Sequence, residues 1–307
     1  MISFRFHLVS LVAVFLALGV GVLTGTTVIN QGVVGRLESQ TENLEVSRDA
    51  LREELDDLEA QAEALQQFGE QATLPVLAGR LTDRQVVLVT QDGTSEEAVA
   101  GVRRALEAAG AQMVASLAVS GRMAVANDAD REVLAGILGM DPAEETAAVT
   151  GEAARLVAAR LVEGPNGTQI LEGLLSEDYL VVQGSGLTDT GLRALGGPDQ
   201  AVVVIAGGPA PSELEPSSFL VPLATDLALG GMPVVVGEPM VAEEAEPPFV
   251  SVLRGQAELS SVLSTQDNVD QLPGQIGVVL ALEDLLQGEA GHYGVKEGAS
   301  QLLPELE

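Results

Sequence analysis

Hydrophobic and polar positions divide the chain into three successive patterns. Residues 8–29 carry no charged side chain, leucine then recurs every seventh residue from Leu37 to Leu65, and after Gly69 short β-branched runs alternate with helix-length segments. About 20 apolar residues at helical rise cross the hydrocarbon core of a bilayer. The patterns predict a terminal segment, a transmembrane anchor, a coiled-coil stalk, an α/β domain and a tail, at residues 1–7, 8–29, 30–71, 80–295 and 296–307.

The uncharged segment fits an uncleaved anchor better than a signal peptide, because it is longer than the apolar region of most signal peptides. Small residues at its end, such as Gly25, would nevertheless suit cleavage. Arg5 precedes the segment and glutamates follow it, an asymmetry that favours a cytoplasmic N-terminus. We therefore predict a single-pass cell-membrane protein whose C-terminal domain is extracytoplasmic.

Within the anchor, Ala17, Gly21 and Gly25 are spaced four residues apart. Small residues at this spacing let two membrane helices approach closely, so these three are candidate helix contacts. The alternative is that glycine is simply common in membrane helices.

The heptad pattern of the stalk predicts a dimer. With Leu37 at position d, leucine occupies every d position to Leu65, whereas the a positions are mixed and include Arg48. Leucine at d is compatible with a parallel dimer, and a charged a residue disfavours tightly packed higher oligomers. The predicted partner is therefore a second copy of the chain, a homodimer or a higher homo-oligomer. The predicted seam consists of Leu37, Leu44, Leu51, Leu55, Leu58 and Leu65.

The remaining pattern indicates an α/β domain. Strands are predicted at the apolar runs 85–90, 113–119, 179–183, 201–206, 233–237 and 276–282. Helices are predicted at 95–110, with Ser95 as N-cap, and at 128–138 and 143–162. Residues 238–248, acidic and containing proline, are predicted to form a surface loop. Continuous apolar strands alternating with helices imply a mostly parallel sheet with helices on both faces, Rossmann-like or flavodoxin-like.

Composition excludes several classes of function. A net charge of −30 with a single lysine, Lys296, argues against binding nucleic acid. The absence of cysteine excludes disulfides, thiolate metal sites and a lipid-modified cysteine. The only histidines are His7 and His292, and no serine lies in a Gly-x-Ser-x-Gly elbow. We therefore predict that the protein is not an enzyme.

Two glycine pairs follow predicted strands, as phosphate-binding turns do. Gly184 and Gly186 belong to an incomplete dinucleotide fingerprint, because Asp189 stands where its third glycine belongs. Gly207 and Gly208 are similarly placed and similarly incomplete. Tight strand-to-helix turns explain both pairs more simply than ligand cradles, so no cofactor is evident.

Metal binding has one weak candidate. The methionines form no Met-x-Met or Met-x-x-Met cluster of the kind that favours monovalent copper. His292, within the sequence Gly-His-Tyr-Gly, is the best single ligand. The alternative is a hydrogen-bonded structural histidine.

The two ends of the chain carry a family resemblance. The opening MISFRFHLVSLVAVFLALGVGVLTG and the closing VVLALEDLLQGEAGHYG resemble the actinobacterial MctB family of copper transport or copper homeostasis envelope proteins. That resemblance implies a non-enzymatic protein whose best-known relative is described as an outer-membrane channel for copper efflux. This resemblance is the only reason to predict copper. Within the matched segments, His292 is the one candidate ligand for the metal. The hypothesis predicts that the extracytoplasmic domain binds copper.

A second hypothesis is a dimeric coiled-coil scaffold for an envelope or cell-separation partner, without direct copper transport. Corynebacterial proteins of this layout resemble a cell-separation factor that acts with a partner at the division site. An anchored domain without catalytic motifs fits this hypothesis, and a charge in the leucine seam would test it.

Overall fold

A computed structural model describes residues 4–167, 169–184, 189–208, 212–240 and 249–305. Within α1, the side chains of residues 4, 5 and 26–38 are among those outside this description. The helices are α1 Phe4–Leu77, α2 Glu96–Ala108, α3 Asp128–Leu138, α4 Thr146–Glu163, α5 Ile170–Ser176, α6 Asp189–Arg193, α7 Leu220–Leu229, α8 Phe249–Arg254 and α9 Leu272–Gln287. The strands are β1 Gln85–Gln91, β2 Gln112–Val119, β3 Leu180–Val182, β4 Gln200–Ile205, β5 Val234–Glu238, β6 Leu263–Asp267 and β7 His292–Tyr293.

The chain divides into two compact units, residues 1–67 and 68–307. The first unit is helical throughout its described part, as most of α1. Within it, Phe6–Gly25 is long and apolar enough to cross a membrane, and none of this segment is buried. This segment overlaps the predicted anchor at 8–29.

The second unit is built around one seven-stranded sheet in the order β3-β2-β1-β4-β5-β6-β7. Every neighbouring pair is parallel except β2 and β3, which are antiparallel. The central strands β1, β4 and β5 are valine-rich and buried on both faces, as strands of a parallel sheet are. The predicted mixed α/β class and mostly parallel sheet are confirmed.

Alternate residues of each strand serve two separate cores. Val87 and Val89 of β1 pack with α3, α4, α5, α7 and α8, whereas Val86 and Leu88 pack with α2 and α9. This follows from the two-residue period of a strand, which sends successive side chains to opposite faces. Helices therefore cover both faces of the sheet.

The end of α1 belongs to the second core. Leu77 and Leu81 are fully buried and pack with residues of α2 and α9. Arg80 donates to the carbonyl of Val76 and pairs with Glu283 of α9 at 2.5 Å. The packed domain thus includes residues before position 80.

Several boundaries follow local chemistry. Ser95 caps α2, because its hydroxyl accepts from the amide of Ala98 at 3.3 Å, as predicted. The predicted helix at 128–138 is α3, with Asn127 as its N-cap and Gly139 as a left-handed C-cap. The helix predicted at 143–162 begins at Thr146.

One predicted strand is wrong. Residues 276–282 lie inside α9, which has Pro273 in its first turn and ends at the left-handed Gly288. All but Ile276 in this apolar run are buried, and a short buried run does not by itself distinguish a strand from a helix. The strand of this region is β6, which hydrophobic patterning misses because its sequence is Leu-Ser-Thr-Gln-Asp.

Candidate functional site

Buried charged side chains gather where β5, β6 and β7 end. Glu238 closes β5 and is 2% exposed, and Asp267 closes β6 and is 0% exposed. Arg254 from the end of α8 and Lys296 after β7 supply the opposite charges. The carboxyl ends of parallel strands meet at one edge of a sheet, so the topology brings these residues together.

Asp267 is the centre of this polar cluster. Its carboxylate accepts from Arg254 Nη2 at 3.0 Å and from the backbone amides of Val295 and Lys296 at 2.7 and 3.0 Å. Burying a carboxylate is costly unless it is paired and hydrogen-bonded, and here three donors converge on it. Asp267 therefore fixes the segment that follows β7.

Glu238 forms the second buried pair. Its carboxylate accepts from the amides of Phe249 and Val250 at the start of α8, and Lys296 Nζ lies 3.2 Å away. Lys296 also donates to the carbonyl of Pro239 at 2.9 Å. The prediction of a surface loop is wrong for Glu238, which ends a buried strand because its charge is compensated; residues 241–248 lie outside the described residues.

His292 lies in the same cluster, half-buried at the start of β7. Its Nδ1 is 3.1 Å from the hydroxyl of Thr265, which in turn accepts from Arg254 Nε at 2.8 Å. His292 Nε2 is buried and has no hydrogen-bond partner among the residues that the structure describes. Burial first, and the nearby Arg254 second, lower the pKa of His292 below its usual value, so the imidazole is neutral at pH 7.

Gly294 allows this arrangement. Its φ is +124°, and a Cβ added there would collide with the carboxyl group of Asp267. Glycine is therefore required where the backbone passes over a buried carboxylate. The Gly-His-Tyr-Gly signature is thus tied to the packing of the β6 carboxyl end.

The loops after β1 and β4 pack against each other in their described parts. Strand order reverses direction between β1 and β4, and ligands of open α/β sheets bind outside the carboxyl ends of such strands. Here the amide of Ser95 bonds to the carbonyl of Gly207 at 3.4 Å, and a Cβ on Gly208 would collide with the carbonyl of Gly93. Gly207 and Gly208 thus allow the two loops to approach closely, and the choice between a turn and a ligand cradle stays a prediction. Residues 185–188, including Gly186 of the other pair, lie outside the described residues.

A small pocket of about 130 Å³ lies beside α4, lined by Arg160, Pro165, Gly167, Gln169, Leu171, Glu172, Leu192 and Arg193. Small-molecule sites usually exceed about 300 Å³. The buried Arg160 guanidinium donates to the carbonyls of Gly164 and Leu195, each at 2.6 Å, and to those of Leu192 and Arg193. Its donors tie the end of α4 to the segment before β4.

The predicted seam leucines all lie on α1. Each described one has more than half of its surface exposed, from Leu58 at 55% to Leu65 at 71%. The side chain of Leu37 lies outside the described residues. In the anchor, Gly21 and Gly25 have open space around the position of a Cβ. Ala17 is exposed on the same helix.

Comparison with known proteins decides the family. The family model described as "Copper transport outer membrane protein, MctB" matches residues 1–304. The chain belongs to the MctB family. The recognition of this family from the two ends of the sequence is therefore confirmed.

Curated relatives of this MctB family member are named copper transporter MctB. The protein from Mycobacterium tuberculosis is 28% identical over 312 residues, which cover 97% of this chain and 98% of the relative. The protein from Mycobacterium leprae is 27% identical over 321 residues, covering 98% and 99%. The similarity thus spans the apolar helix and the α/β domain alike. The family is named for transport and not for catalysis.

For a member of the MctB family, the positions of possible copper ligands matter. No three His, Asp or Glu side chains converge as metal ligands within the described residues. Met123 and Met232 are buried among core residues, whereas Met240 is 46% exposed. His292 has Thr265 and Arg254 as its polar neighbours.

The cluster of Glu238, Arg254, Asp267 and Lys296 was not predicted as a site. The sequence hints at this cluster only at Glu238, a carboxylate that follows a run of valines and one glycine. The pairing partners come from α8 and from the segment after β7, so only the fold brings them together.

Proposed function

We propose that this protein is a membrane-anchored, non-enzymatic component of copper transport or copper homeostasis in the cell envelope. The observation that carries the proposal is the similarity to copper transporters over 97% of the chain, which includes the apolar helix Phe6–Gly25. Copper is cargo in this proposal and not a resident cofactor. The N-terminus would lie in the cytoplasm and the domain outside it.

A transport path would have to be built by several chains. One apolar helix cannot enclose an aqueous path across a membrane, since every lipid-facing polar group needs an internal partner. The exposed seam Leu44, Leu51, Leu55, Leu58 and Leu65 supports self-association of α1 as a coiled coil, because a leucine stripe gains stability when a second helix covers it. Chains anchored in one membrane in the same direction would pair in parallel. Ala17, Gly21 and Gly25 would let the anchors approach closely.

The strand order supports a Rossmann-like assignment for the domain. The order 3-2-1-4-5-6 is that of the doubly wound dinucleotide-binding fold. The reversed β3 and the added β7 are departures from it. With the loops after β1 and β4 packed together, we propose that the fold here serves as a scaffold and holds no dinucleotide.

Gene deletion tests the copper proposal. We expect the deletion strain to grow poorly at copper concentrations that the parent tolerates and to accumulate copper, and we expect the wild-type gene to restore both. Normal growth and copper content in the deletion strain would reject the proposal. Copper titration of the full-length protein in detergent then separates direct binding from an indirect role.

Assembly is tested with charge substitutions on one helix. Leu44→Asp with Leu51→Asp places charges in the seam, whereas Val46→Asp places the same charge on the outer face of the heptad. We expect the double variant to be monomeric by light scattering in detergent and the Val46 variant to remain associated. Monomeric wild-type protein would contradict the dimer.

The same variants address the second candidate function, a dimeric scaffold for an envelope or cell-separation partner. The exposed seam favours it, since this surface can bind another helix. The scaffold hypothesis predicts that a partner is recovered by crosslinking with the wild-type protein and lost with the seam variant, while copper tolerance stays unchanged.

The membrane topology is tested with Glu45→Cys. A thiol reagent that is excluded from the cytoplasm should label this residue in intact cells, because the chain has no other thiol.

A further inference from the structure

The segment after α9 folds back over the edge of the sheet. Residues 292–303, here called the C-terminal strap, begin with the two residues of β7, which pair in parallel with β6. The strap closes on itself through bonds from Ser300 to the carbonyl of His292 and from Gly294 to the carbonyl of Gln301. Its backbone is otherwise held by side chains of β6 and α8.

Most of the side chains that hold the backbone of the strap do so through polar contacts. Asp267 holds the amides of Val295 and Lys296, and Arg254 donates to the carbonyls of Tyr293, Lys296 and Glu297. Gln266 donates to the carbonyl of Leu302 at 3.5 Å. β7 itself contributes only two residues to the sheet. The strap is therefore a short element attached by one buried polar cluster and by Tyr293, which packs in the second apolar core.

His292 is the titratable group at the root of the strap. Arg254 Nε donates to Thr265 Oγ1, and the proton of this hydroxyl remains available for His292 Nδ1. We assign Thr265 as the donor of that second bond, which leaves the hydrogen of the neutral ring on Nε2. That bond requires an imidazole with a free lone pair on Nδ1. Protonation would turn Nδ1 into a donor and reverse the bond.

Among the described residues, the buried carboxylates of β5 and β6 are already paired with other cations. The charged groups facing the strap are Arg254 from α8, Asp267 from β6, Glu238 from β5 and Lys296 of the strap, and these four already form two ion pairs. On the α9 side, the carboxylates of Asp284 and Glu289 lie near Tyr293, where they add to the effect of burial in raising the pKa of its hydroxyl. A proton on His292 would bury a second cation beside Arg254 and turn Nδ1 into a donor directed at Thr265, whereas Nε2 carries its hydrogen in both states.

We propose that His292 is an acid-sensitive latch: the neutral imidazole holds the C-terminal strap against β6, and its protonation releases β7 and the strap from the sheet edge. The latch acts at the edge of the domain and leaves the sheet from β1 to β5 intact. It is independent of the proposed copper function.

The direction of the pH effect follows from linkage. The pKa of His292 is lowered in the folded state, so the closed strap binds fewer protons than the open one when the pH falls below the ordinary value of 6.5. An open strap with an ordinary imidazole is about 90% protonated at pH 5.5. The equilibrium for opening should therefore rise by up to about tenfold between pH 7.5 and pH 5.5.

Hydrogen exchange on the full-length protein in detergent, freed of metal with EDTA, tests the latch. Peptides covering residues 288–303 should exchange up to about tenfold faster at pH 5.5 than at pH 7.5 after correction for the intrinsic rate. Peptides covering β1 and β4 should not change. His292→Gln stays uncharged and can still accept from Thr265, so its strap should exchange equally at both pH values.

Two outcomes would overturn the latch. One is a strap whose corrected exchange does not change with pH in the wild-type protein, and the other is a pH dependence that persists in His292→Gln. If that variant does not fold, the wild-type protein still decides. The wild-type protein has only two histidines, so the His7→Gln variant assigns their NMR signals. Titration should then give His292 a pKa below 6.5. A pKa at or above 6.5 would reject the proposal.

Discussion

The centre of the sheet and its β6–β7 edge are both buried, but they are built from different side chains. β1 and β4 fill the interior with valine, leucine and isoleucine that serve two apolar cores. β6 buries Ser264, Thr265, Gln266 and Asp267, and its stability depends on ion pairs and hydrogen bonds with α8 and the C-terminal strap. The centre depends on apolar packing, whereas the edge depends on complete pairing of its polar groups.

This difference gives the Gly-His-Tyr-Gly segment a structural role. The Gly-His-Tyr-Gly segment lies at the polar edge, where Gly294 passes over Asp267 and His292 contacts Thr265. Both residues are explained by the packing of the strap. The following changes test the comparison, from the largest expected effect to the smallest.

Asp267→Asn should be the most damaging single change. The amide keeps the shape but has one acceptor oxygen in place of two, so Arg254 loses its counter-charge and a strap amide loses its acceptor. Breaking a buried pair in this way costs about 3–5 kcal/mol. Urea unfolding of the full-length protein, followed by circular dichroism, measures the loss.

Asp199→Asn, at an exposed position before β4, is the control for the removal of a charge. It should change the free energy of unfolding by less than about 0.5 kcal/mol. Equal effects of the two substitutions would show that the pairing at Asp267 does not stabilise the edge.

Gly294→Ala should destabilise the edge by about 3 kcal/mol, because the added methyl group collides with the carboxyl of Asp267 and the positive φ is strained. Gly288→Ala separates the two causes. Its φ is +94° and open space surrounds its Cβ position, so only backbone strain of about 1 kcal/mol applies. The same unfolding titration applies, and equal losses would contradict the predicted collision.

Val203→Ala in β4 should cost about 2 kcal/mol, through lost apolar burial and a small cavity. The loss should not vary between pH 7.5 and 5.5 or with added salt, since no charged group is involved. A cost above that of Asp267→Asn would reverse the comparison between centre and edge.

Asp130→Asn should have the smallest effect. Arg122 donates to this partly exposed carboxylate at 2.8 Å and, as the largest cause, lowers its pKa below the ordinary value of 3.8. The pair therefore contributes stability above that pH and loses it as the pH falls further. Wild type and variant should differ slightly at pH 7, and the difference should shrink as the pH falls below 3.8. A difference that persists at acid pH would assign the effect to packing.

The apolar part of the fold was predictable from the sequence. Valine runs located β1, β4 and β5, and Ser95 located the start of α2, because each signal is local. The same approach placed a strand at 276–282 inside α9, since burial on most sides hides the helical period.

The polar edge was not predictable in the same way. β6 has one apolar residue in five, and nothing local indicates that Asp267 is buried. Its partners Arg254 and Val295 are 13 and 28 residues away in the chain. His292 was noticed as the only imidazole after the anchor, but its neighbours follow from the topology alone.

The engagement of Lys296 has a practical consequence for chemical probing. It is the only lysine of the chain, and its amine lies against Glu238 and Pro239 with its side chain 17% exposed. Amine-reactive crosslinkers, biotin esters and bead couplings will therefore find little to modify on the folded domain. A blank result from such reagents would report an occupied amine and not the absence of neighbouring proteins.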